Sequence, residues 1–125
     1  MNELTKAEEQ IMQALWKIER GFVKDVVNQL NNPKPAYNTV STIIRILEKK
    51  GFVDHKIYGK TYEYFPTVTK KEYTKSFFGN FLNKYFSNSF QQLVSFFSNE
   101  NDLSIEEMEK IRMLMEQEIK NKKEA

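Results

Sequence analysis

The chain has 125 residues, no cysteine, one histidine and a formal net charge of +2 from 19 basic and 17 acidic side chains. That length suffices for one compact domain, or a small domain with an appendage, and argues against a multidomain enzyme. The lack of thiols removes disulfides, thiolate zinc sites and thiol catalysis together and fits a reducing cytoplasm.

The opening segment MNELTKAEEQ carries neither a basic leader nor an apolar run, and no stretch approaches the roughly 20 apolar residues that span a bilayer, so no membrane insertion is expected. Thr5 followed by Glu8 is a capping-box spacing that starts a helix. Ala7, Ile11, Ala14, Leu15 and Ile18 recur at helical spacing to about Glu19, with Met12 and Trp16 beside the stripe. The single Trp16 is expected to fill core or interface space. Gly21 is expected to break this helix, and Phe22 to Val23 offers a short extended piece. Val23, Val26, Val27 and Leu30 then define a second helix of about eight residues, ended by Asn31, Asn32, Pro33 and Pro35.

The segment from Ala36 to Gly51, AYNTVSTIIRILEKKG, organises the rest. At about 100° per residue, Val40, Ile43, Ile44 and Leu47 share one arc, and Asn38, Ser41, Thr42, Arg45 and Lys49 share the opposite one. The outer face begins with short uncharged hydrogen-bonding groups and continues with cations. Such a face can approach the DNA major groove closely, with N-terminal residues at base edges and later cations at phosphates. Two helices joined by an Asn/Pro-rich connection form a helix-turn-helix order. From Tyr37 to Lys60, the cations Arg45, Lys49, Lys50, Lys56 and Lys60 stand against Glu48 and Asp54 only, a local excess that the global charge hides.

Gly51 ends the third helix, and the period changes to that of strands. FVDHKIYGKTYEYFP holds two β-branched and aromatic runs around Tyr58-Gly59-Lys60, a hairpin signal. A hairpin directly behind a recognition helix is the wing of a winged helix, and Lys56, Tyr58, Gly59 and Lys60 would form its tip. After Pro66 the chain reads as helical and aromatic. Phe77, Phe78, Phe81, Leu82, Tyr85 and Phe86 lie on one helix between about Lys70 and Ser87. Phe90, Leu93, Val94, Phe96 and Phe97 lie on a second. Ser104 and Glu107 cap a third, bearing Ile105, Met108, Ile111, Met115 and Ile119 and expected to fray into KNKKEA. Too much apolar surface lies here for so short a segment to hide alone, and a twofold dimer would bury it.

Catalytic chemistry finds no support. His55 has no second His or Cys to complete a metal site, carboxylates look scattered over helix surfaces, and the phosphate-cradling loops GxxxxGK[ST] and GxGxxG are both missing. No cofactor, metal or catalytic residue is expected.

The order helix, helix, TVSTIIRILEKKGFVDHKIYGKTYEYFP and a helical tail containing FQQLVSFFSNENDLSIEEMEKI resembles the BlaI/MecI family of penicillinase repressors over nearly the whole chain. The most specific matches are Thr39-Val40, Thr42, Leu47 to Gly51 with Phe52 and Val53, Gly59-Lys60, Tyr64 to Pro66, and Asp102-Leu103-Ser104. The resemblance implies a homodimeric winged-helix repressor on a palindromic operator, silencing resistance genes. The absence of cysteine excludes the related copper-sensing branch. The resemblance also implies inactivation by cutting in the dimerisation region, triggered by a membrane sensor metalloprotease and commonly at an Asn-Phe bond; Phe96-Phe97 stands at that place here.

The resulting expectation is a mainly α fold with a small β-hairpin wing. Residues 1–68 would form a winged-helix DNA-binding domain and 69–125 a helical dimerisation domain. Tyr37, Asn38, Thr39, Ser41, Thr42, Arg45, Lys49, Lys56, Tyr58, Gly59 and Lys60 would contact DNA. Phe77, Phe81, Tyr85, Phe90, Leu93, Phe97, Met108, Ile111 and Met115 would join two copies. Two alternatives stay open: a regulator released by a small effector bound among the C-terminal aromatics, and a winged helix that binds protein and not DNA.

Overall fold

The structure is a computed structural model that describes residues 1–31, 33–100 and 102–125; Asn32, expected in the connection after the second helix, lies outside them. The element order is α1 (Lys6–Ile18), α2 (Val23–Gln29), α3 (Tyr37–Lys49), β1 (Val53–Tyr58), β2 (Thr61–Pro66), α4 (Lys70–Phe86), α5 (Phe90–Asn99) and α6 (Ile105–Glu124). Two compact units result, Met1–Phe78 and Gly79–Ala125, with the division falling inside α4. Among the described residues no helix is long and apolar enough to cross a membrane.

The first unit is a winged helix, as the sequence order implies. Thr5 and Glu8 exchange both capping-box hydrogen bonds, at 2.9 and 3.2 Å, and start α1. The helix stops where expected, at Ile18. Glu19, with φ of 71°, is its C-cap, and the chain is already extended when it reaches Gly21. Gly21 serves close packing instead: a Cβ there would stand 2.7 Å from Ile18 Cδ1 and 3.0 Å from Asp25 Cβ. Its backbone pairs with Tyr64 through hydrogen bonds of 2.9 and 2.8 Å, adding one rung to the hairpin. The extended piece therefore centres on Gly21, and Val23 is already helical.

The core is built from Ile11, Met12, Ala14 and Leu15 of α1, Val23 and Val26 of α2, and Val40, Ile44 and Leu47 of α3, closed by Phe52, Val53, Tyr64 and Tyr73. Met12, expected beside the α1 stripe, is fully buried, whereas Ala7 is exposed. Helix α3 ends in a Schellman arrangement. Gly51, with φ of 84°, donates to the Glu48 carbonyl (3.1 Å) and Phe52 to that of Leu47 (3.0 Å), a backbone conformation that a side chain would strain. That turn delivers the chain into β1, which pairs antiparallel with β2 from Val53↔Pro66 to Tyr58↔Thr61 and leaves Gly59-Lys60 as the two-residue turn.

Two side chains tie the start of α4 into this core. The Tyr73 hydroxyl accepts the Leu4 N–H at 2.9 Å, and its ring meets those of Trp16 and Phe52 at 6.0 and 5.9 Å. Trp16 packs against the core as expected and donates its indole N–H to the Val68 carbonyl at 2.8 Å. A capping box between Thr69 and Glu72, absent from the sequence reading, opens α4.

In the second unit Ser104 and Glu107 cap α6 as anticipated. The helix does not fray at KNKKEA but continues to Glu124. No Gly or Pro interrupts that segment, and Lys122 and Lys123 complement the negative end of the helix dipole. Among the described residues from 79 to 125, Leu82 alone is buried.

Candidate nucleic-acid interface

Helix α3 turns Val40, Ile44 and Leu47 inward, which leaves Tyr37, Asn38, Thr39, Thr42, Arg45 and Lys49 exposed and Ser41 half-buried. Among the described residues no side chain caps its N-terminus, so the first backbone N–H groups keep their hydrogen-bonding capacity at the positive end of the helix. Further along, the polar face satisfies itself. The Thr42 hydroxyl donates to the Asn38 carbonyl at 2.9 Å, and the Arg45 guanidinium donates to the Ser41 hydroxyl at 3.2 Å and carbonyl at 3.4 Å. These contacts are exposed and local, so an external acceptor can replace them at small cost.

The hairpin stands beside this face. Tyr37, Ser41 and Arg45 from α3 share one open cleft with Lys60, Thr61, Tyr62 and Tyr64 from the hairpin, Val23 and Lys24 from α2, and Phe22 just before it. Three cations, Lys24, Arg45 and Lys60, thus share this cleft with four aromatic side chains, Phe22, Tyr37, Tyr62 and Tyr64. Side-chain alternation separates the remaining tip residues. His55, Tyr62 and Tyr64 lie on one face of the hairpin, and Lys56 and Tyr58 on the other, with Lys56 in register with Glu63. Tyr58 meets Phe22 edge-on at 6.0 Å. Lys24, Phe22 and Tyr62 were missed because α2 and β2 reach this cleft only through tertiary packing.

At the far end of α3 the sequence expectation of scattered carboxylates fails. Glu48 contacts His55 Nδ1, and Asp54 Oδ1 stands 4.0 Å from the same nitrogen while accepting the His55 backbone N–H at 2.7 Å. The imidazole stacks on Tyr62 at 4.3 Å. The only sequence signal for this grouping was the tight glycine turn between α3 and β1. Burial raises the Tyr64 hydroxyl above its ordinary value, the Glu48 charge adds to that, and Arg45 opposes it. One buried tyrosine therefore feels both the helix and the acidic end of the turn.

In the second unit Tyr85, Phe90, Phe97, Ile111 and Met115 are exposed, and Phe81, Leu93 and Met108 are half-buried. Phe77 belongs to the first unit, with its ring 6.2 Å from that of Tyr73. Leu93, Val94, Phe97, Leu103, Met108 and Ile111 line an apolar groove between α5 and α6, together with Ser98 and Arg112. Phe96 and Phe97 lie within α5, and both are exposed.

Residues 4–117 match the penicillinase repressor family. The chain is 29% identical over 114 residues to the methicillin resistance regulatory protein MecI of Staphylococcus aureus strain N315, covering 90% of this chain and 93% of that protein. It is 25% identical over 123 residues to the penicillinase repressor of Bacillus licheniformis, covering 98% and 96%. Among solved structures, the solution structure of the DNA-binding domain of the repressor BlaI is similar, with 25% identity, a TM-score of 0.50 and coverage of 57% of this chain and 88% of that domain. The match spans both units and nearly the full length of these relatives, and on that ground the chain belongs to the penicillinase repressor family.

Proposed function

We propose that this chain is a DNA-binding transcriptional repressor that acts as a homodimer on a palindromic operator in the cytoplasm and controls resistance-type genes. The observation that carries this reading is the uncapped, cation-bearing outer face of α3 set beside the hairpin, in a chain of this family. Asn38, Ser41, Thr42 and Arg45 read base edges. Tyr37, Thr39, Lys49, Lys56 and Lys60 hold phosphates, with Tyr58 and Gly59 at the wing tip. Residues 1–68 serve as the DNA-binding part and 69–125 as the dimerisation part, in which the exposed apolar faces of α4, α5 and α6 meet those of a second copy. Repression follows from occupancy of promoter DNA. It is relieved when a membrane sensor metalloprotease triggers cutting at Phe96-Phe97, whose exposure in α5 supports access.

The apolar groove between α5 and α6 favours a second reading, in which a small apolar effector settles there and releases the protein from DNA. Selection of bound fragments from the source genome tests the main reading. Palindromic sites near genes for a β-lactamase or a membrane metalloprotease support it, and no salt-dependent binding to any fragment rejects it. The mass of the chain after release separates the two modes of relief: a cut chain supports proteolysis, an intact one the effector.

A further inference from the structure

The geometry points to a divalent transition-metal site at the junction of α3 and β1, formed by Glu48, Asp54 and His55 and suited to zinc. One imidazole nitrogen and one oxygen from each of two carboxylates lie within 4.8 Å of one another. A tetrahedral zinc with bonds of about 2.0–2.2 Å holds its donors roughly 3.3–3.6 Å apart. The Glu48–His55 contact must therefore open slightly, and the 4.0 Å separation between His55 Nδ1 and Asp54 Oδ1 must close slightly. Both are side-chain rotations that leave the backbone in place.

Four features preorganise the set. The His55 ring is held by stacking on Tyr62 at 4.3 Å and 20°, which fixes where its nitrogen points. The Asp54 carboxylate is tethered by the His55 backbone N–H at 2.7 Å. Glu48 lies in the last turn of α3, whose carbonyl end adds negative potential that favours a cation. The Schellman turn at Gly51 fixes the spacing between the helical and strand donors. Glu48 and His55 are each about a quarter exposed and Asp54 is 62% exposed, so the open side of the set leaves room for water to complete the coordination. A nitrogen donor selects zinc over magnesium or calcium, which prefer all-oxygen sets. A bound ion would fasten the end of α3 to the first strand of the hairpin. The inference concerns metal binding alone and does not depend on the reading of this surface as a DNA interface.

The test uses the full chain at neutral pH. His55 is the only histidine, so its ring carbon-bound protons give an unambiguous NMR signal. Zinc chloride is titrated in a non-chelating buffer while calorimetry records the stoichiometry. One zinc per chain is expected, with the His55 ring resonances shifting in step. Glu48→Gln and Asp54→Asn, shown to be folded by circular dichroism, should each weaken binding by about tenfold or more. His55→Asn should abolish it, and Glu109→Gln on α6 should leave it unchanged. Magnesium should move no His55 resonance. Unmoved His55 signals at millimolar zinc, or undiminished binding in His55→Asn, would overturn the site and leave an imidazole–carboxylate contact only.

Discussion

Lys50 reaches back 42 residues to Glu8 and places its ammonium between both carboxylate oxygens, at 2.9 and 2.8 Å. The pair fastens the C-terminal end of α3 to the first turn of α1. Glu8 is also the capping-box residue of α1, so one carboxylate starts one helix and anchors another.

This double use gives a pH signature. Burial pushes the Glu8 carboxyl up, but the Lys50 hydrogen bond, the Thr5 backbone N–H, the Lys50 charge and the Thr5 hydroxyl together hold it below 4.5. A folded-state value below the unfolded one contributes stability that is present above the unfolded value and lost as pH falls through the folded one. Stability from urea unfolding should therefore drop on acidification below 4.5. In Lys50→Met the hydrogen bond and charge of Lys50 are gone and only the Thr5 contacts still oppose burial, so the folded value moves back toward the unfolded one and the acid dependence should flatten. At neutral pH this variant should lose about 1–3 kcal/mol, since a buried carboxylate forfeits its charged partner. An unchanged acid limb in Lys50→Met would show that Glu8 carries no such linkage.

Tyr73 sets where the first unit can be cut. Its ring closes the core against Trp16 and Phe52, and its hydroxyl accepts the Leu4 N–H. A fragment ending at residue 68 lacks it, whereas one ending at residue 78 keeps it. Tyr73→Ala in the full chain should cost about 3–5 kcal/mol, the usual range for removing a large core aromatic. By the same reasoning the shorter fragment should melt well below the longer one by calorimetry. Equal melting temperatures would mean that the core closes without α4.

The first unit was legible in the sequence because its signals are local. The Thr5/Glu8 box, the Val40-Ile44-Leu47 stripe and the Gly51 stop each lie within one or two turns, and each appears where expected. What stayed hidden depends on contacts between distant segments. Lys50 was counted in the local excess of cations between Tyr37 and Lys60 but pairs with Glu8. Tyr73 sits in a run of aromatics that reads as one apolar helix, and only packing divides that run between two units. Glu19 left no sign that it would adopt a positive φ, since Gly21 two residues on is the commoner choice for that conformation. The cleft shares this character: Arg45 was visible on its helix, while Lys24 and Tyr62 reach it from other elements.

Arg45 and Lys60 line the same cleft but should behave differently on DNA. A bidentate arginine–base contact discriminates by about 1–3 kcal/mol, so Arg45→Ala should weaken operator binding by that amount and barely affect random DNA. Lys60→Ala should weaken both alike and reduce the slope of log affinity against log salt by about one. Fluorescence anisotropy over a salt series measures both. Equal losses on operator and random DNA for both variants would remove the division between base reading and phosphate holding.

Met115 offers the sharpest test of self-association. It is 53% exposed and shares a helical stripe with Met108 and Ile111, so a second copy of α6 would cover it in a twofold pair. Met115→Glu keeps good helix propensity and changes the polarity of the face, which separates loss of the partner from loss of the helix. A residue on a twofold interface counts once in each copy. Burying one such side chain is worth about 1.5–3 kcal/mol, so the dimer dissociation constant should rise by well over tenfold. Sedimentation velocity across a dilution series should show the wild-type chain as dimer and the variant shifting toward monomer with unchanged far-UV circular dichroism. DNA affinity should fall more on a full palindrome than on an isolated half-site, because only the palindrome uses two copies at once. A wild-type chain that sediments as monomer at every concentration while binding a palindrome no better than a half-site would sink the dimeric repressor account.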